Sequence, residues 1–164
     1  MSVQATITQN VTAVETLDEN MHASAASRSQ VTHDGFNTTV VLNSTSTPPA
    51  SEVGCFEQDL TAGAATIDLT AMPSTNGATV DGTGKRVQAA KFKNPSDNAN
   101  NMTITEGASN GYDGFGASFS IILVPGAEVT IFTNDGGTDI SGTNKTIDIA
   151  GTSTQTLEVS LVLG

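Results

Sequence analysis

Ala117-Ser118-Phe119-Ser120-Ile121-Ile122-Leu123-Val124 runs into Pro125-Gly126, and the following stretch, Glu128-Val129-Thr130-Ile131-Phe132-Thr133, stops at Asn134-Asp135-Gly136-Gly137. Lys145-Thr146-Ile147-Asp148-Ile149 comes next, then Thr156-Leu157-Glu158-Val159-Ser160-Leu161-Val162-Leu163 before Gly164. β-Branched residues recur at every second position between turn formers. A chain with that period places alternate side chains on opposite faces, so these four stretches read as antiparallel strands with one buried face.

Working outward, the same pattern begins at Gly35. Phe36 to Leu42 reads as a strand, and Asn43 to Ala50, with Pro48-Pro49, as a loop. Val53 to Leu60 and Ala64 to Leu69 pair around Ala62-Gly63. A Gly-rich loop, Pro73 to Gly84, precedes the strands Arg86 to Lys93 and Met102 to Thr105. With Val3, Ala5 and Ile7 as a short first strand, the total is about nine or ten, at the spacing of a sandwich. The fold class is therefore all-β: a β-sandwich or jelly roll of antiparallel strands. Residues 1–30 form an N-terminal arm or edge segment, and 31–164 a single sandwich domain. Between Val11 and Arg28 the periodicity fits either a brief helical turn or an extended arm, and the segment serves either as a tie to a neighbouring subunit or as a frayed end.

At 164 residues the chain can bury a core without disulfides, built mostly from Val, Ile, Leu and Ala because Trp is absent. Thr, Ser and Asn make up about a third of it, which suits solvent-washed β surfaces. A net charge of −11 argues against nucleic acid, since phosphate neutralisation needs clustered cations. Four of the six basic residues do gather, at Lys85, Arg86, Lys91 and Lys93. They form either a docking site for an acidic protein surface or a strand edge kept soluble by lysine. No apolar run approaches the ~20 residues of a membrane helix. The N-terminus lacks the basic and apolar regions of a signal peptide, so assembly in a cytoplasm is expected and the five Asn-x-Ser/Thr matches carry no weight.

Few residues offer chemistry. Cys55 is the one cysteine, and within Val53-Gly54-Cys55-Phe56 it reads as a small buried hydrophobe. His22 and His33 have no zinc spacing and read as surface histidines. Gly82-Thr83-Gly84-Lys85 lacks both the earlier Gly and the following Ser or Thr of a phosphate loop, and reads as a turn into the basic strand. Asp135, Asp139 and Asp148 surround Gly136-Gly137 and could offer oxygens to calcium, though acidic turns mostly end strands. No base stands near a serine, so no catalytic triad is evident. The expectation is a protein that is not an enzyme and needs no metal or cofactor.

Lys91-Phe92-Lys93-Asn94-Pro95, Met102-Thr103-Ile104-Thr105 and Gly111-Tyr112-Asp113-Gly114-Phe115-Gly116 lead into the apolar strand, the Pro-Gly turn and the closing hydrophobic strand. That order, over roughly Leu60 to Gly164, resembles small virion proteins of tailed bacteriophages of the head decoration (cement) type. The resemblance implies a capsid-bound homo-oligomer, often a trimer, on the exterior of the virion. Its partner would be the major capsid protein, with Lys85, Arg86, Lys91 and Lys93 as possible capsid contacts and neither nucleic acid nor membrane bound. It also implies assembly in a host cytoplasm. Three readings compete. One is a small tail or fibre component. Another is a sugar- or cell-surface-binding sandwich with Tyr112 and Phe115 as its platform and the acidic turn near Asp135 as its ligands. The third is a glycosidase-like pair of carboxylates.

Overall fold

The computed structural model describes residues 3–17, 29–74, 77–135 and 137–164. Among them there is no helix, and the chain divides into two compact units, Thr6–Val41 and Met1–Ala5 with Leu42–Gly164. The expected boundary at 30/31 falls inside a strand of the smaller unit.

The chain runs first through β1 (Gln4–Gln9), β2 (Ala13–Leu17), β3 (Ser29–His33) and β4 (Thr38–Asn43), of which β2 and β3 lie wholly in the smaller unit while the start of β1 and the end of β4 belong to the larger. β1 pairs with β4, whereas β2 and β3 form an antiparallel pair with Ala13 opposite His33 and Glu15 opposite Val31. Asn37 ties the strand ends together: its Oδ1 accepts the Val11 N–H at 2.7 Å, and its Nδ2 donates to Thr12 Oγ1 at 3.0 Å. Of the stretch left between a helical turn and an extended arm, Ala13–Leu17 is strand and residues 18–28 lie outside those described. Phe36 sits in a turn before β4, not within a strand.

The larger unit holds β5 (Glu52–Asp59), β6 (Ala64–Asp68), β7 (Met72–Pro73), β8 (Thr79–Val80), β9 (Val87–Lys93), β10 (Met102–Glu106), β11 (Ser120–Leu123), β12 (Glu128–Phe132), β13 (Thr146–Ala150) and β14 (Thr156–Leu163). β7 and β8 form a small two-stranded sheet of their own. The other eight make two antiparallel sheets, ordered β12-β9-β14-β5 and β11-β10-β13-β6. The sandwich expected from the alternation is what these strands build. Four elements beyond the expected ten, β2, β3, β7 and β8, are short or lie in the N-terminal segment.

Period two decides what the sheets enclose. In β14 the burial alternates without a break, and Leu157, Val159, Leu161 and Leu163 all turn inward. They meet Ile147 and Ile149 of β13, Ile104 and Met102 of β10, Ile67 of β6 and Phe92 of β9 in one cluster. Burying each of these side chains stabilises the fold by roughly 1.5–3 kcal/mol relative to exposure. A register shift opposite Val162/Leu163 breaks the alternation in β9, where Val87, Gln88, Ala89 and Ala90 are all buried. The turn after β11 needs Gly126, whose φ is +80° and whose neighbour Ala127 donates its N–H to the Val124 carbonyl.

Candidate functional site

The basic residues are placed by β9. Because Phe92 faces inward opposite Val159, Lys91 and Lys93 must point outward. The pairing register then sets Lys93 between Glu128 of β12 and Glu158 of β14. Its Nζ lies 2.9 Å from Glu158 Oε2, and Lys91 reaches diagonally to Glu128 Oε2, also at 2.9 Å. The hydrogen bond and the charge of Glu158 raise the Lys93 ammonium above its ordinary value. Lys85 and Arg86 precede the strand. Lys85 Nζ donates to the Asp81 carbonyl at 3.0 Å, and the Arg86 guanidinium spans Asp139 Oδ1 and Asp135 Oδ1 at 2.5 and 2.9 Å. Asp139, then Asp135, lifts the Arg86 pKa above its usual value.

The structure therefore joins Lys91 to Lys93 on one outer sheet face and leaves Lys85 and Arg86 at the other end of β9. Each of the four cations already has an acidic or carbonyl partner within its own chain. Such exposed pairs contribute little to stability, because water screens them. The row Glu128, Lys93, Glu158 and Glu57 crosses all four strands of the sheet and sets three carboxylates around one ammonium, so the strip is not a basic patch.

The aspartates weighed for calcium do not converge. Asp135 and Asp139 close on Arg86, whereas Asp148 lies on β13 and accepts from Thr66 Oγ1 at 2.6 Å and from the Ala108 N–H at 2.8 Å. Among the described residues no group of three or more His, Cys, Asp or Glu could hold a metal ion. Gly82-Thr83-Gly84-Lys85 is a turn in which the Asp81 carboxylate accepts both the N–H and the hydroxyl of Thr83.

Two readings need correction. Cys55 is exposed rather than buried: in β5 the inward positions go to Gly54 and Phe56, and the register places Cys55 beside Ser160 on the outer face. Tyr112 is wholly buried and cannot stack on a sugar. Its hydroxyl accepts the Val87 N–H and donates to the Thr138 carbonyl, both at 3.1 Å. Phe115 packs edge-on against Tyr112, Phe119 and Phe92 at centroid separations of 5.4, 5.3 and 6.2 Å. A core with few aromatics spends these rings on its own packing. His33 Nε2 lies 3.4 Å from Glu15 Oε2 on the exposed β2–β3 pair, and His22 lies outside the described residues.

The described surface of the larger unit includes two clefts. One, of about 400 Å³, is bordered by Glu57, Asp97 and Glu158; the other, of about 390 Å³, by Glu106, Ser118 and Phe119. Glu158 is committed to Lys93, and Glu106 Oε2 accepts the Ser118 N–H at 2.6 Å. Neither cleft joins a carboxylate pair to an aromatic platform.

What the sequence reading missed is apolar. Val11, Val14, Val31, Phe36 and Val41 are exposed, Phe36 completely, and all five lie in the unit Thr6–Val41. Ile7 is the one buried hydrophobic residue among those described there. The signal was present in the lack of a second apolar face to match these residues, but alternation alone does not say which face is covered. Compared with protein-family models, curated proteins and solved structures, the chain matches none.

Proposed function

We propose that this chain is a decoration (cement) protein of a phage head, a homo-oligomer that binds the outside of the shell and bridges major capsid subunits. The observation that carries the reading is the N-terminal unit. Thirty-six residues, Thr6–Val41, hold five of the seven large exposed hydrophobics among the described residues. Among its described residues Ile7 is the one buried hydrophobe, far less than a core of its own requires. Surfaces of that kind gain their stability from what they cover.

The body supports the same reading. Counted from β5 to β14 without the short β7 and β8, the first strand lies beside the eighth, the second beside the seventh, the third beside the sixth and the fourth beside the fifth. We read that nested order as favouring an eight-stranded jelly roll, an architecture of viral capsid and lectin domains. The mechanism is burial without bond chemistry. Each apolar contact is modest, and repetition over the shell makes the array firm. The cations of β9 are paired with carboxylates of the same chain and add little long-range attraction, so the apolar segment supplies most of the affinity.

The test is occupancy. Purified protein is mixed with undecorated phage heads and sedimented. Saturable binding that falls in Phe36→Ser supports the reading, and failure of the intact protein to bind any head removes it.

A further inference from the structure

Four strands end the two sheets: β5 and β12 in one, β6 and β11 in the other. An edge strand presents unpaired N–H and C=O groups, and soluble proteins blunt such edges with charge, Pro or a bulge. Three of the four edges carry carboxylates. β5 has Glu52, Glu57 and Asp59, β12 has Glu128, and β6 has Asp68. β11, with the sequence Ser-Ile-Ile-Leu, has none. The whole stretch from Gly114 to Ala127 lacks a charged side chain, in a chain of net charge −11.

The same edge is apolar. Register against β10 turns Leu123 into the core with Ile121 packed beside it, and leaves Ser120 and Ile122 on the outer face. Ile122 is 66% exposed and Val124, just past the strand, 53%. They are the two large exposed hydrophobics among the described residues of the larger unit. The Phe119 carbonyl accepts the Glu106 N–H from β10, so the alternate residues Ser120 and Ile122 direct their backbone groups away from the sheet.

We propose that β11 pairs antiparallel with β11 of a second copy of this chain across a two-fold axis, joining two four-stranded sheets into one of eight. The charge distribution selects this occupant. Two copies of net charge −11 repel, and they repel least where their facing surfaces are uncharged. The other three edges bring carboxylates to the seam between two acidic copies, on β5 with Glu52 and Asp59 at opposite ends; at β11 a symmetric contact sets isoleucine near isoleucine, with backbone groups completing both ladders. Four residues a side make a small contact, far below the usual area of a stable interface, so the pair is weak in dilute solution and is reinforced where copies are already close. The inference does not rest on shell binding and is tested without any particle.

The full chain is followed by sedimentation equilibrium from roughly micromolar to roughly millimolar concentration. A reversible monomer–dimer equilibrium is expected, weakened about tenfold or more by Ile122→Lys with melting unchanged, because that side chain is exposed. In the unmodified chain, hydrogen exchange of the Ser120 and Ile122 amides should slow as concentration rises, a readout that needs no variant to fold. A monomer at every concentration overturns the proposal. So does a dimer indifferent to Ile122→Lys but lost in Val14→Lys. A chain that dimerises through β11 yet binds no head leaves this inference standing and removes the proposed function.

Discussion

The Tyr112 hydroxyl accepts the backbone N–H of Val87 at 3.1 Å, pinning the loop before β11 to the first residue of β9. No strand pairing connects these two elements directly, and the phenol also caps the Thr138 carbonyl. Tyr112→Phe keeps the ring and its edge contact with Phe115 but leaves a buried N–H without a partner. The expected loss is about 1–3 kcal/mol, read from urea unfolding. Burial pushes the Tyr112 phenol above its ordinary value of about 10. Because the folded value is the higher one, this group's contribution is complete below about pH 10 and is lost as pH rises through the folded value. Tyr112→Phe should lack that alkaline decline.

Asp68 and Lys145 give the opposite sign. Burial would raise the Asp68 carboxyl, but the Lys145 ammonium at 2.6 Å and the Thr70 hydrogen bonds outweigh it and hold the group below its usual range. A lowered folded value stabilises above about pH 4 and is lost as pH falls through it. With both side chains partly exposed, the pair is worth at most about 1 kcal/mol. Asp68→Asn should therefore be less stable than the natural chain at pH 7, and the gap should close towards pH 3. A gap that stays constant into acid would show that the pair contributes through packing and not through charge.

Cys55 should react completely with a water-soluble thiol reagent in the folded protein, without denaturant, because β5 sets it on the outer face. Labelling that begins only in the unfolding transition would return it to the interior.

Why some of this was legible in sequence and some not is a matter of period. In β14, one face is apolar at every second residue, and the strand runs from Thr156 to Leu163 as its pattern reads. Ile147 and Ile149 mark β13 in the same way. Cys55 was misread because Val53-Gly54-Cys55-Phe56 is apolar on both faces, and only the register with Ser160 shows which side is out. The same blindness hid the site. Lys91 and Lys93 look like a basic patch in sequence, yet their carboxylate partners, Glu128 and Glu158, arrive from strands 37 and 65 positions further along (128 − 91 and 158 − 93). Phe36 resembled the start of a buried strand, because no local pattern distinguishes an apolar residue left exposed from one that has a core.

The last expectation separates the two surfaces that could attach this protein to a shell. Phe36 is fully exposed and Val14 59% exposed, so Phe36→Ser and Val14→Ser should leave the melting temperature within about a degree or two and lower occupancy on heads. Lys93→Glu should behave in reverse. It places four carboxylates, at positions 128, 93, 158 and 57, in one cross-strand row, and like charges directly opposite destabilise a sheet by up to about 1 kcal/mol. The fold should weaken, more at low salt than at high salt, because the repulsion is screened. Attachment of the natural chain should itself depend little on salt, since the cations of β9 are already satisfied internally. Occupancy measured by sedimentation at several ionic strengths checks both halves. Steep salt dependence, with Phe36→Ser binding as well as the natural chain, would move the contact from the N-terminal unit to the face of Lys91 and Lys93.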